Sequence, residues 1–320
     1  MNFQKIAPVD SSNTILNTAF KKAREKGIEK NLTGNWLQII RKKESLKLDI
    51  INDSINSTLQ KMGSSFPSFN ALPAFYLQLT KLTLDYPSLL KSLAALDWAA
   101  QKIRSLHRDY VKRINYTKEQ SMIKDVSKQF YGRVSSILKQ IKVNLEYLEQ
   151  ARRVMRTYPD IKEMFTVCVY GFPNVGKTTL LNKLTGSKAV VAPYAFTTKS
   201  INSGYITVAG HKVQVLDVPG TLARDAKTNL IELQAELVVN ELANVIIFVF
   251  DVSEYGGYSV EKQKKLLQKI KEKKKVLIYL SKIDLVEEIP ELKYKVYSLE
   301  QLKEIIAQEA EHFATEKSIV

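Results

Sequence analysis

The chain has 320 residues, 45% of them apolar, with 48 Lys and Arg against 33 Asp and Glu and a single cysteine, Cys168. That is length enough for two domains with separate cores, and one cysteine excludes an intrachain disulfide or a cysteine-built metal cluster. The longest apolar run, Val245 to Phe250, falls far short of the ~20 residues of a membrane span, and Met1-Asn2-Phe3-Gln4-Lys5 opens no apolar signal core, so a cytoplasmic chain is expected.

Charge is unevenly placed. Residues 1–160 hold 27 basic and 14 acidic side chains, a net of +13, whereas residues 161–320 hold 21 and 19, a net of +2. A polyanionic partner is therefore expected for the first half. That half reads as helical throughout. Ser11 or Ser12 caps a helix predicted to run to Lys26 and stop at Gly27. A second is predicted over Leu46–Met62, stopped by Gly63, and a third from Ala71 to about Leu84. Tyr86-Pro87 opens a fourth that runs to about Ile114. On it Ile103, Leu106, Tyr110, Val111 and Ile114 form the apolar face, while Arg104, Arg108 and Lys112 recur four apart on another, with Lys102 and Arg113 nearby. From Glu119 to about Thr157 apolar residues return at three-to-four spacing, through Ile123, Phe130, Ile137, Leu148 and Met155. One long helix is predicted there, with Gly132 as the place for a bend, and two helices this long on a short link pair antiparallel. Arg104, Arg108 and Lys112 are the expected RNA contacts. Phosphate and shape contacts are expected rather than base reading, because no aromatic stacking motif or RNP-like signature accompanies the stripe.

Beyond residue 160 short strand-like runs alternate with helical ones. Thr166–Tyr170 reads as a buried strand. It leads into Gly171-Phe172-Pro173-Asn174-Val175-Gly176-Lys177-Thr178, which matches G-x-x-x-x-G-K-[ST] at every fixed position and runs on through Thr179 into a helix ending near Leu184. Such a loop curls its backbone N–H groups around phosphate oxygens; Lys177 reaches the β/γ-phosphates and the Thr178 hydroxyl ligates Mg²⁺. The N-terminus of the following helix faces the same anions. A second strand, Val213–Leu216, ends in Asp217-Val218-Pro219-Gly220. Its carboxylate can hold the Mg²⁺ shell, and the Gly220 N–H can touch a γ-phosphate that is present only before hydrolysis. Val276–Leu280 is another strand run, ending in Ser281-Lys282-Ile283-Asp284. Asp284 can accept from the guanine N1–H and N2–H₂ edge, a donor pair that adenine lacks, with the Lys282 stem over the base. GTP and GDP are therefore expected rather than ATP.

In this order the three motifs resemble the G1, G3 and G4 boxes of the Ras-like P-loop GTPases. The resemblance implies a switch segment at Tyr194-Ala195-Phe196-Thr197-Thr198, similar to the Phe-Thr-Thr switch of the Obg class, with Thr198 on Mg²⁺ when GTP is bound. Lys177, Thr198 and Gly220 are then the expected catalytic residues. A G5 segment is implied at Val296–Leu299, bringing Ser298 and Leu299 to the base, though it lacks the usual Ala. Ser281 replaces the Asn whose amide ties the G4 loop to the P-loop, which implies weaker guanine affinity. Thr221 and Leu222 follow Gly220 where many relatives place a glutamine that orients water. Asn174 matches an Asn that in related GTPases helps hold a potassium ion between the phosphates, where a cation neutralises developing charge as an arginine finger does.

Longer stretches are similar to the nucleolar GTP-binding (Nog-type) family of the Obg class. These are Phe3-Gln4-Lys5-Ile6, Leu96-Asp97-Trp98 through Arg104, the Gly171-Phe172-Pro173-Asn174 form of the P-loop, and Asp251-Val252-Ser253-Glu254-Tyr255-Gly256-Gly257-Tyr258-Ser259. A cysteine is more usual in the last loop, whose change is expected to tune contacts rather than chemistry. The resemblance covers nearly the whole chain. It implies a shorter, archaeal-type member without the long basic C-terminal extension of eukaryotic relatives. The fold class expected is an all-α basic bundle over 1–160, then an α/β P-loop GTPase domain with a mostly parallel sheet over 161–320. The function implied is GTP hydrolysis to GDP, slow without a partner, as a switch in assembling the large ribosomal subunit. Its partners would be that subunit or its precursor and its rRNA, and the chain would be a monomer in solution. An alternative of another class is a GTP-dependent peripheral membrane or scaffold protein with its bundle on anionic lipid. Against it, the basic helices lack Trp- or Phe-rich insertion faces and no lipidation motif is present.

Overall fold

Among the described residues of the first half, the apolar periodicity becomes six α-helices: α1 (Ser12–Lys26), α2 (Trp36–Ser65), α3 (Ala74–Thr83), α4 (Tyr86–Tyr116), α5 (Gln120–Gln140) and α6 (Lys142–Met155). The structure, a computed structural model, describes residues 3–26, 33–186, 202–218, 230–272, 274–288 and 292–319. Within them lie two units, one of residues 2–71 and 83–156, the other of 72–82 and 157–320.

In the helical unit α4 packs on α2, α5 and α6. Its core is a column of fully buried side chains: Leu48, Ile51, Ile55 and Leu59 of α2, Leu89, Leu96 and Ile103 of α4, and Phe130 and Val134 of α5. Each such Leu or Ile contributes about 1.5–3 kcal/mol by leaving water. Helix α2 differs from expectation at both ends. It begins at Trp36 because Asn35 and Gln38 form a reciprocal capping box, Gln38 N–H donating to Asn35 Oδ1 at 2.9 Å and Asn35 N–H to Gln38 Oε1 at 3.0 Å. It runs through Gly63, where a Cβ would touch only Leu96 Cδ1 at 3.8 Å, so packing against α4 outweighs the ~1 kcal/mol helix penalty of glycine. Asp85 caps α4, accepting from the Ser88 N–H and hydroxyl at 3.3 and 2.6 Å.

The long helix expected from Glu119 to Thr157 is two. The ladder breaks at Ile141, whose ψ of 8° takes it out of helical geometry, while Gly132 stays within α5. Near the end of α6, Glu149 accepts from Arg152 Nε and Nη2 at 2.7 Å each, from Arg153 Nε at 2.9 Å and from the Val9 N–H at 3.1 Å. The Arg152 guanidinium, first among these, holds the Glu149 carboxyl well below its usual range, at about 2, against the opposing pull of burial.

The second unit is a five-stranded sheet of β1 (Thr166–Tyr170), β2 (Asn202–Val208), β3 (His211–Asp217), β4 (Val245–Asp251) and β5 (Lys275–Ser281), in the order β2-β3-β1-β4-β5. Only the β2–β3 pair is antiparallel. Between and after the strands run α7 (Lys177–Thr185), α8 (Leu230–Glu241), α9 (Val260–Lys271) and α10 (Leu299–Ile319). Strands β1 and β4 are buried at every residue, as continuous apolar runs covered on both faces must be. Cys168 sits among them, where burial pushes its thiol up to about 12.

Residues 72–82, which a division at 160/161 places with the other helices, pack in the same compact unit as the sheet. The cause is Tyr76, whose buried hydroxyl donates to the Pro159 carbonyl at 2.8 Å and accepts from the Ile161 N–H at 2.9 Å. Among the described residues no helix is long and apolar enough to cross a membrane.

Candidate nucleotide-binding site

The site grows from the order of the strands. The chain leaves β1 toward β3 on one side and later returns to place β4 on the other, so a crevice opens at the C-terminal end of β1. The P-loop fills it. Gly171 has φ +149°, and a Cβ there would lie 2.7 Å from the Val249 carbonyl of β4. Only glycine fits. Gly176 (φ +93°) and Asn174 (φ +60°) are also left-handed, and Gly176 directly precedes α7. This sequence of left-handed residues aims the loop's N–H groups inward, as an anion nest requires.

The side chains converge at the head of α7. Thr178 Oγ1, in the first turn of α7, donates to Asp217 Oδ2 at the end of β3 at 2.6 Å, and Asn202 Nδ2 of β2 reaches the same oxygen at 3.3 Å. Lys177 is buried and its ammonium donates to the Phe172 carbonyl within the loop at 2.8 Å. A cavity of about 540 Å³ opens beside them, lined by Asn174, Gly176, Lys177, Thr178 and Thr179 on one wall and by Ser281, Lys282 and Asp284 on the other. The two expected motifs at 171–178 and 281–284 thus face one space. Phe172 and Val175 are buried beneath the loop. Asp284 is exposed, in a short 3-10 turn, Ile283–Leu285, that β5 leads into.

Ser281 packs on the P-loop, 3.5 Å from where a Gly176 Cβ would be, but its hydroxyl donates back to the Phe250 carbonyl at 3.3 Å. The tie that an Asn makes at this position is therefore absent from Ser281. Asp251, which sequence reasoning left without a role, supplies another. At 1% exposure it accepts from Lys282 Nζ at 2.6 Å, Gly256 N–H at 3.0 Å, and the Ser253 N–H and hydroxyl at 3.0 and 2.6 Å. Burial pushes this carboxyl up, but the Lys282 ammonium with the Ser253 and Gly256 donors outweighs it and holds Asp251 below its usual value. Lys282 itself has left-handed backbone, φ +54°.

The loop so tied lies against the P-loop. A Cβ at Gly256 would come within 3.5 Å of the Pro173 and Asn174 carbonyls and 2.9 Å of Asp251. Tyr258 stacks on Phe172 with ring centroids 4.3 Å apart. Fully buried Gln263 of α9 closes the loop, donating to the carbonyls of Asp251 and Tyr258 and accepting from the Asp251 N–H. None of these contacts follows a motif of spacing; the signals available were Asp251 at the end of an apolar strand and the family-like stretch that runs from it to Ser259.

Ser298 and Leu299 are not brought into the cavity lining. Ser298 instead caps α10, exchanging bonds with Gln301 at 2.9 and 3.3 Å, while Val296 makes a parallel bridge to Ile278 of β5. Thr198, Gly220 and the segments around them lie outside the described residues. In the helical unit Arg104 and Arg108 line a groove of about 630 Å³ with Asn52, Gln101 and His107, whose ring nitrogen is 2.6 Å from Asp49. Lys112 is exposed but is not in that lining.

Comparisons with known proteins match the chain in two parts. Residues 3–162 match the family model of the NOG1 N-terminal helical domain, and residues 166–282 match that of the 50S ribosome-binding GTPase. An uncharacterized protein of Methanocaldococcus jannaschii is 39% identical over 79% of this chain and 72% of its own. Nucleolar GTP-binding protein 1 of Drosophila melanogaster is 31% identical over 91% of this chain and 46% of its own, so the chain spans less than half the length of that relative. Among solved structures, the G domain of the T. maritima FeoB iron transporter aligns at 31% identity over 46% of this chain and 99% of that one, with a TM-score of 0.39. With a GTPase domain behind a matching N-terminal helical domain, the chain belongs to the nucleolar GTP-binding protein 1 family.

Proposed function

We propose that this protein is a guanine-nucleotide switch that binds GTP with Mg²⁺, hydrolyses it to GDP, and docks through its basic helical unit on RNA of the large ribosomal subunit or its precursor. The observation that carries the reading is the meeting of Thr178 and Asp217 at 2.6 Å beside a cavity whose far wall holds Asp284. Thr178 and Asp217 are hard oxygen donors, and two such groups with phosphate oxygens and water suit Mg²⁺, which seldom takes an all-protein cage. When bound, that ion supplies positive charge to the β/γ-phosphate oxygens.

The chain's own residues do the rest. P-loop N–H groups and the α7 N-terminus cradle the phosphates, and Lys177 turns from the Phe172 carbonyl to the β/γ-oxygens. Asp284 accepts from the guanine edge, with the Lys282 stem, fixed by Asp251, lying over the base. A water attacks the γ-phosphorus in line with the departing GDP oxygen. Thr198 would add a ligand to the metal and the Gly220 N–H would contact the γ-phosphate, so that loss of that phosphate would free both residues. No glutamine follows Gly220, and intrinsic turnover is expected to be slow, about 10⁻⁴ to 10⁻² s⁻¹. A potassium ion held by Asn174 is the charge we propose to raise it.

For the partner, support comes from the net +13 on residues 1–160, from the ribosome in one family description and from the nucleolus in the relatives' names. These point to ribosome assembly rather than to a lipid surface. In a cell without a nucleolus that work is cytoplasmic, and we place a monomer there. The test is RNA binding by the full chain across salt concentrations. Charge reversal at Arg104, Arg108 and Lys112 should flatten the log–log slope by about three contacts of roughly 0.7 to 0.9 each, leaving GDP binding intact. Unchanged affinity at every salt concentration would make the stripe an ordinary solvated face.

A further inference from the structure

Helix α4 has a second groove, on the side facing α5, that holds none of Arg104, Arg108 and Lys112. It has a volume of about 790 Å³, and its lining runs from Trp98 through Lys102, Tyr110 and Arg113 on α4 to Gly132 and Arg133 on α5. Two features set it apart from a gap between helices. Trp98 keeps 44% of its surface exposed, although an indole gains much from burial. Three cations, Lys102, Arg113 and Arg133, share the lining with one acid, Asp109. The Arg113 guanidinium already lies 4.8 Å over the Tyr110 ring. On the opposite wall, a Cβ on Gly132 would meet nothing within 4 Å, so the space above α5 is open.

Leu106 and Ile137 also line the groove, but a helix or apolar peptide laid there would have to desolvate the three cations beside them. An exposed aromatic face followed by cations is the combination that takes single-stranded nucleic acid, the base stacking on the ring and the backbone following the charge. Trp98 and Arg113 are about 22 Å apart along α4 at ~1.5 Å per residue, room for a short strand rather than one mononucleotide. A duplex offers no free base face, since its bases are stacked inside. The geometry points to the α4–α5 groove as a binding subsite for a short single-stranded segment of RNA, one unpaired base stacked on Trp98 and its phosphates on Lys102, Arg113 and Arg133. This rests on the reading that the helical unit docks on RNA, and it adds what a phosphate stripe cannot provide, a preference for unpaired nucleotides.

The full chain carrying Trp36→Phe keeps Trp98 as the one indole of two, and its fluorescence reports the groove. The probes are a fluorescently labelled 12-nucleotide single-stranded RNA and a blunt RNA duplex of equal length. The single strand should quench Trp98, and the duplex should not. Gly132→Leu fills the groove without removing a cation and places a better helix former in α5. It should weaken single-strand binding by about 5- to 150-fold, the loss of one base–aromatic stack, with duplex and GDP binding unchanged. Trp98→Leu, followed by anisotropy of the labelled RNA, should show the same loss. If both variants bind the single strand as the parent does, the groove is not the subsite, while RNA docking elsewhere on the unit stands. If the parent binds neither RNA at low salt, this inference and the RNA reading fall together.

Discussion

Asparagine at Asp251 tests whether the loop over the P-loop matters to the nucleotide. Asp251 uses both oxygens: Oδ1 takes the two Ser253 donors, and Oδ2 takes Lys282 Nζ and the Gly256 N–H. Asparagine can keep the first pair, but its amide then turns two N–H donors toward an ammonium and a backbone N–H. Removing one partner of a buried ion pair costs about 3–5 kcal/mol. Lys282 is 24% exposed and can turn to water, so the low end, about 3 kcal/mol, is the estimate. At about 2–4 °C per kcal/mol for a domain of this size, the melting temperature should fall by roughly 6–12 °C. The loss also frees Lys282 from the place proposed for it over the base and Gly256 from the P-loop carbonyls. If about 1.4 kcal/mol of it falls on the bound state, GDP should dissociate tenfold faster. Stopped-flow release of a fluorescent GDP analogue, alongside thermal melts, reads the two effects separately. A variant with the parent's dissociation rate would refute the role given to Asp251, even if its melting temperature dropped.

Acid should weaken the helical unit through Glu149. Its folded value of about 2 lies below the ordinary 4.5, so its contribution, on the order of 1–3 kcal/mol after screening by solvent, is present above pH ~4.5 and lost as pH falls toward 2. Glu149→Gln should lower stability at pH 7 by that amount, and the gap should close over the same range in urea melts. A gap independent of pH would mean that the carboxylate's charge is not what stabilises. Asp284→Asn should shift preference from guanine to xanthine nucleotides in competition binding; unchanged selectivity would remove the assignment of the 281–284 turn. Exchanging sodium for potassium should raise GTP turnover in the parent and not in Asn174→Ala. Equal rates of the parent in both salts would dispose of the cation.

Local rules carried the sequence a long way where a motif dictates its own backbone. The P-loop was legible because its glycines must adopt left-handed angles, and the strands because their apolar runs have few other uses. Helix α2 began where an Asn-x-x-Gln box at 35–38 marks a start, a signal present in the sequence but outweighed by the later apolar spacing. Gly63 misled because propensity is weak beside packing, and nothing in the composition around Ile141 marks the break there. Residues 72–82 joined the sheet through the Tyr76 hydroxyl, a contact across 83 residues that no window of sequence contains. The Asp251 hub and the Gln263 clamp were hidden for the same reason. Trp98 was visible as a residue, but its exposure in a groove shared with three cations is a property of two packed helices.

The central claim is a nucleotide-controlled encounter with the large ribosomal subunit, and sedimentation tests it most directly. The full chain is centrifuged with purified large and small subunits from the source organism, in a non-hydrolysable GTP analogue and in GDP. It should pellet with large subunits or their precursors in the analogue, much less in GDP, and with small subunits in neither. Equal recovery with both nucleotides, or none with large subunits even at low salt, would contradict it.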